Sequence, residues 1–167
     1  METYPYFPLF VDLSEKRVLV VGAGRIASRR IQSLVPFAPH LKVVAARVRP
    51  EVEELALQKR IVLFKRFFRE EDLEGADLVL AATSDASLNS RIGMECKSRG
   101  IFVNVCSDKD MCDFYFPGIV MTAKAVVGVT ASGQDHKEAK EITGQIRKRL
   151  CAAEKETDDD ETVKTIL

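Results

Sequence analysis

The sequence predicts an α/β chain: an open parallel sheet, doubly wound with helices on both faces, followed by a short C-terminal hairpin and helix. Three observations predict it. Short apolar runs alternate with segments of helical spacing, a glycine-rich turn joins the first run to the first helical segment, and the rhythm changes after Val105. Short continuous apolar runs suit strands buried on both faces. Their alternation with helices through short connections gives a parallel sheet with right-handed crossovers.

The elements follow in order. Arg17–Gly22 (RVLVVG) reads as the first strand. Arg25–Val35 is a helix with Ile26, Ala27, Ile31, Leu34 and Val35 at helical spacing, stopped by Pro36 and Pro39. Leu41–Ala46 is the second strand, and Pro50 opens a helix whose apolar side is Val52, Leu55 and Ala56. Ile61–Phe64 and Ala76–Ala82 are the third and fourth strands. Ser84–Arg99 is a helix capped by Ser84 or Asp85 and ended by Gly100, and Ile101–Val105 is the fifth strand. Phe114–Met121 and Ala125–Ala131 form two strands around a tight turn at Thr122–Lys124, and Lys137–Leu150 is a final helix with Ala139, Ile142, Ile146 and Leu150 on one face. This divides the chain into a sheet domain over 1–112, a dimerisation and substrate-cleft element over 113–150, and an acidic tail over 151–167 for which little order is expected.

Length and composition bound the function. The 167 residues suffice for one such domain and a small addition, and 46% hydrophobic with 30% charged residues is ordinary globular composition. The 25 basic and 25 acidic residues balance, which argues against a nucleic-acid partner, because phosphate neutralisation needs an excess of Lys and Arg. The acidic stretch Glu154–Glu161 leaves the preceding body modestly positive, which suits a polyanionic small molecule and equally fits a merely solvated tail. Cys96, Cys106, Cys112 and Cys151 include no CxxC pair, so no metal ligand set is predicted. No stretch approaches the roughly 18 apolar residues of a membrane span. With no leader-like N-terminus, the expectation is a cytoplasmic protein with reduced thiols and no membrane partner.

The strongest local motif is Gly22-Ala23-Gly24-Arg25-Ile26-Ala27, which fits G-x-G-x-x-A directly after the first strand and at the start of the first helix. It makes the expected fold Rossmann-like. Gly22 permits a tight turn, Gly24 lets a pyrophosphate approach the backbone, and Ala27 allows close helix–strand packing. Arg25 and Ile26 complete the helix start, whose free N–H groups face the phosphates. One expected feature is missing. The second strand commonly ends in Asp or Glu, which holds the adenosine ribose hydroxyls, but here Ala45-Ala46-Arg47-Val48-Arg49 follows. Arg47 or Arg49 could meet a 2′-phosphate and favour NADP, or both could be solvated.

Four separated pieces carry a wider resemblance. Tyr6-Phe7-Pro8-Leu9-Phe10-Val11-Asp12-Leu13 opens the chain, and Val20–Arg30 contains the glycine turn. Leu80-Ala81-Ala82-Thr83-Ser84-Asp85 with Asn89 forms the third piece, and Val103-Asn104-Val105-Cys106-Ser107-Asp108 with Phe114 and Pro117 the fourth. In order and spacing these resemble the precorrin-2 dehydrogenase / sirohydrochlorin ferrochelatase family, the N-terminal part of siroheme synthase, as far as about Leu150. The resemblance implies that NAD takes a hydride from precorrin-2 to give sirohydrochlorin. It further implies that some members insert ferrous iron into that tetrapyrrole, and that members are homodimers with intertwined C-terminal segments. It places NAD ahead of NADP. Thr83 is expected near the nicotinamide half of the cofactor, or simply at a helix start, and Asn104 on the carboxyl edge of the sheet. Arg25, Arg29, Lys109 and Lys124 are candidates for the substrate's carboxylates.

The chain also departs from the family pattern. Ser107 stands where the family has its first Asp after "NVV" and Asp108 at its following acidic position, so with the register open by one residue Ser107 stays a catalytic candidate and Asp108 is the candidate base for proton removal. In Thr130–His136, Ser132 and Gly133 match a small polar loop able to bind a carboxylate through its N–H groups, while His136 replaces a proline and becomes a candidate proton-moving or metal-facing residue. The acidic tail follows where the family continues into a helical domain, which weakens metal insertion more than dehydrogenation. Two rival readings remain. One is a non-catalytic nucleotide- or tetrapyrrole-binding regulatory module, and the other is a generic nucleotide-sensing domain. The late "NVxxD…FxxP" segment speaks against the second.

Overall fold

The computed structural model describes residues 7–131 and 137–150. They form two compact units, one from Phe7 to Phe114 and one within 115–150. In the first unit, parallel strands β1 (Arg17–Ala23), β2 (His40–Val48), β3 (Val62–Phe64), β4 (Leu78–Ala81) and β5 (Phe102–Val105) make one sheet in the order β3-β2-β1-β4-β5. Helices α1 (Arg25–Leu34), α2 (Pro50–Leu57) and α3 (Ala86–Ser98) connect them. The chain runs outward from β1 through β2 to β3, then returns to β1's other flank for β4 and β5. With right-handed crossovers, α1 and α2 must therefore lie on one face and α3 on the other. The expected α/β, Rossmann-like doubly wound sheet is present.

Strand alternation builds the two cores. Leu19 and Val21 join Val79, Ala81, Val103 and Val105 in a cluster with Ile92 and Cys96 of α3. Val18 and Val20 point the other way, toward the face where α1 buries Ala27, Ile31 and Leu34. The apolar stripe of α1, read at i, i+4 and i+7 from Ala27, is what seats the glycine turn against the sheet.

The second unit is an antiparallel hairpin of β6 (Gly118–Met121) and β7 (Val126–Val129), with a helix over 137–150. The Thr122 N–H donates to the Ala125 carbonyl at 2.9 Å and closes the turn. Thr143 lies against Gly118, where an added Cβ would meet its Oγ1 at 2.3 Å, and Arg147 donates to the Ile119 carbonyl at 3.0 Å.

Observed elements are shorter than expected at several ends. The fourth strand begins at Leu78 and not Ala76, because Asp77 turns back to accept the Arg17 N–H at 2.8 Å. The hairpin's first strand begins after Pro117, which has no N–H to give a ladder. Of the two candidate caps for α3, Asp85 serves, accepting from the Leu88 N–H at 3.1 Å. Two short 3-10 turns, Glu70–Leu73 and Lys109–Met111, carry no periodic apolar pattern and were not expected. The expectation for 151–167 lies outside the described residues. Among the described residues no helix is long and apolar enough to cross a membrane.

Candidate cofactor and substrate site

β1 ends in a turn whose two glycines do different work. Gly22 has φ +109°, and a Cβ there would sit 2.4 Å from the Ala82 carbonyl oxygen and 3.0 Å from the Thr83 nitrogen. The end of β4 therefore presses directly on the turn, and only glycine fits. At Gly24 an added Cβ would meet nothing within 4 Å among the described residues, which leave the space above it open. Gly24 is also the N-cap of α1, and no side chain caps the helix. Its carbonyl accepts the Ser28 N–H at 2.8 Å. The N–H groups of Arg25, Ile26 and Ala27 precede the first intrahelical bond, so they are available to a ligand. α1 has no acidic residue in its first turn, so nothing there offsets the positive end of its dipole. An open cradle of uncapped donors is what a dinucleotide pyrophosphate requires. Arg25 and Ile26 are exposed beside it, Ile26 to 54%, while Ala27 is fully buried.

β1 and β4 are neighbours whose chains depart to opposite sides. Their carboxyl ends thus form the switch-point crevice where open α/β sheets bind ligands. Thr83 and Asn104 both lie on this edge. Thr83 follows β4, and its hydroxyl sits 2.7 Å from Asn89 Oδ1 and accepts the Asp85 N–H at 3.1 Å, so it organises the start of α3. Asn89, almost fully buried, fixes this corner. It accepts the Thr83 N–H at 3.0 Å, donates to the Thr83 carbonyl at 3.1 Å and reaches Ser107 Oγ at 3.3 Å.

Asn104 is buried near the end of β5. It donates to the Phe114 carbonyl at 2.7 Å and accepts from Arg30 at 2.5 Å. The Arg30 guanidinium also meets Cys106 Sγ at 2.6 Å. Sequence reasoning did not single out Arg30. The signal was its position, three residues after Ala27 and next to Ile31, at the margin of α1's buried stripe. Burial pushes the Cys106 thiol up against the pull of Arg30, and burial likewise raises Cys112. Neither is set up as a thiolate nucleophile at neutral pH.

Ser107 and Asp108 follow on the same edge. Asp108 caps the Lys109–Met111 turn, its Oδ1 accepting the Asp110 N–H at 3.0 Å. Arg29 is exposed on α1, and its carbonyl accepts from Ser33. Lys124 is exposed in the β6–β7 turn of the second unit. Ser132, Gly133 and His136 lie outside the described residues. Of the two arginines at the end of β2, Arg49, just past the strand, is held by Glu51 at 3.1 Å, whereas Arg47, within it, has no hydrogen bond or ion pair among the described residues.

A doubly wound sheet with an open, uncapped glycine turn at its switch point defines the class, a dinucleotide-binding α/β domain. Comparison with known proteins narrows it. Residues 9–118 match the family described as "Putative NAD(P)-binding", and the chain belongs to that family, whose ligand is a nicotinamide dinucleotide. The chain is 37% identical over 146 residues to "Probable multifunctional siroheme biosynthesis protein HemA" of Ruminiclostridium josui, covering 87% of this chain and 28% of that one. It is 37% identical over 129 residues to "Siroheme synthase 1" of Serratia proteamaculans, covering 77% of this chain and 27% of that one. It thus spans little more than a quarter of the length of these relatives. Among solved structures, "SirC, precorrin-2 dehydrogenase" superposes with a TM-score of 0.75 at 24% identity, over 86% of this chain and 70% of that one, a likeness of fold. The resemblance carried by the four sequence pieces is the one these relatives share.

Proposed function

We propose that the chain oxidises precorrin-2 to sirohydrochlorin with a nicotinamide dinucleotide as acceptor, acting in the cytoplasm as a homodimer. The observation that carries this reading is the placement of the open Gly24 turn on the same sheet edge as Asn104, Ser107 and Asp108. The residues fit the cofactor. The uncapped N–H groups of 25–27 would hold the pyrophosphate, and the corner fixed by Thr83 and Asn89 would flank the nicotinamide half. When bound, the cofactor supplies a hydride acceptor, so precorrin-2 gives up one hydride and one proton.

The proton needs a base. Asp108 uses Oδ1 to cap its turn and leaves Oδ2 without a partner among the described residues. That oxygen is the group to receive it. Ferrous iron would be the substrate of a second step, in which the same carboxylate takes the pyrrole protons. The resemblance carried by the four sequence pieces puts NAD first, while the end of β2, without a carboxylate, bears on NADP.

The test is absorbance at 340 nm with purified protein, precorrin-2 and either cofactor. Reduced cofactor should accumulate. Asp108→Asn keeps the cap acceptor and removes the base, so turnover should fall about a hundredfold or more while cofactor affinity holds. Turnover that survives this change moves the base elsewhere. The second reading, a binding module without catalysis, is favoured by Ser107 and by the use of Asp108 as a cap. Tight binding of reduced cofactor or sirohydrochlorin with no turnover in the unaltered protein would select it.

A further inference from the structure

We infer that the adenosine end of this cofactor site is built for a 2′-phosphate, held by Arg47, so that the chain takes NADP in preference to NAD. This rests on the dinucleotide-binding reading above and specifies its ligand.

The geometry starts from the pairing of β1 and β2. Val21 pairs with Val44, and the next pair is Ala23 with Val48. Three residues of β2, Ala45–Arg47, therefore stand opposite Gly22 alone. Such a bulge re-aims the side chains it carries. It also keeps β2 alongside the glycine turn, so Arg47 adjoins the residue that pairs with Ala23. In a dinucleotide fold the end of β2 beside this turn is where the adenosine ribose lies.

The charge at that place is informative. A site for an unphosphorylated ribose uses a carboxylate there to accept from the two hydroxyls, and the same carboxylate repels a 2′-phosphate. No carboxylate lies between Ala45 and Pro50. Arg47 is exposed and has no hydrogen bond or ion pair among the described residues. Exposed arginines are often only solvated, so what nearby acids do matters. The three glutamates of α2 are all engaged elsewhere. Glu51 binds Arg49 at 3.1 Å, Glu53 binds Lys65 at 2.7 Å, and Glu54 accepts from Gln58 at 2.7 Å. Arg49 is thereby paired with a carboxylate, while Arg47 has no such partner among the described residues. A planar guanidinium in that state is a fork for two phosphate oxygens.

The experiment is calorimetric titration of the full chain with NADP, NAD, 2′,5′-ADP and 5′-ADP. NADP should bind about tenfold or more tighter than NAD, and 2′,5′-ADP tighter than 5′-ADP by a similar factor. Arg47→Ala should remove that advantage and leave NAD within about twofold. Arg47→Glu should reverse the preference, and Arg49→Ala should change neither affinity. Equal or tighter binding of NAD by the unaltered protein overturns the inference while the dinucleotide reading stands. So does an Arg47→Ala variant that weakens both cofactors alike. If none of the four probes binds, the dinucleotide reading itself fails, and this inference with it.

Discussion

The two edges of the sheet treat charge in opposite ways. At the amino edge, Asp72 is 4% exposed and fully engaged. It takes both Arg66 nitrogens at 2.7 Å, Lys42 at 3.0 Å and the Arg69 N–H at 3.0 Å. Lys42 and Arg66 also lie over the Phe64 ring, each 5.2 Å from its centroid. Asp77 accepts the Arg17 N–H and faces Lys16 at 3.6 Å. At the carboxyl edge, among the described residues, no side chain caps the start of α1 and Arg47 has no hydrogen bond or ion pair. Closing every charge on itself fixes a loop in place. Leaving donors unsatisfied at the other edge keeps electrostatic potential available to a ligand. The difference separates the residues that hold the fold from those that wait for a partner.

Gly22→Ala attacks the point where the functional edge depends on the fold, and its effect should be the largest. The new Cβ meets backbone, which cannot swing away, and φ +109° is unfavourable for any side chain. Backbone strain of about 1–3 kcal/mol and overpacking of about 1–3 kcal/mol should add. Urea denaturation should show a loss toward the upper end of that sum. A loss under about 1 kcal/mol would mean that β4 does not bear on the turn.

Asp72→Asn tests the opposite edge. Breaking a buried ion pair costs about 3–5 kcal/mol, and the lower end is expected because Arg66 and Lys42 keep 31% and 34% of their side chains in water. The Arg66 hydrogen bonds hold the Asp72 carboxyl well below the usual carboxylate range against the opposing effect of burial, and Lys42 and the Arg69 N–H add to the same side. A depressed folded value stabilises fully above the unfolded value of about 3.9, and that share is lost as pH falls through the folded value. The unaltered protein should therefore lose stability on acidification, and Asp72→Asn should show a flatter profile down to about pH 3. Parallel profiles would remove Asp72 as the source. Cofactor affinity at neutral pH should not change.

How much of this was legible in the sequence follows the same division. Strands β1, β2, β4 and β5 could be read because strands buried on both faces are continuous apolar runs. The glycine turn could be read because its requirements are backbone requirements that leave few residue choices. Arg30 and Asp72 could not. Each owes its role to partners distant in sequence or held by a 3-10 turn without periodicity, as Arg30 meets Asn104 across 74 positions. Thr83 and Asn104 were placed on the right edge, but their bonds to Asn89, Phe114 and Arg30 depend on side-chain packing that spacing does not encode. Arg47 and Arg49 were equal candidates to meet a 2′-phosphate, because both follow the place of a missing acid. Its distinction from Arg49 needed the Glu51 contact.

Gly24→Ala should have the smallest effect on the fold and is the sharpest test of the contrast. It makes the same chemical change as Gly22→Ala, two residues away. Here φ is −75°, and the added methyl group meets nothing within 4 Å. Stability should stay within about 0.5 kcal/mol, as for a surface change away from special features. The methyl group would instead occupy the space through which a pyrophosphate reaches the N–H groups of 25–27. Cofactor affinity should fall about tenfold or more, since each about 1.4 kcal/mol of lost contact is a factor of ten. A thermal melt and a dinucleotide titration on the one variant separate these outcomes. A destabilised Gly24→Ala would assign the turn to structure alone. An unchanged affinity would mean that the open space above Gly24 is not where phosphate binds, and the uncapped helix start would lose its role as a ligand site.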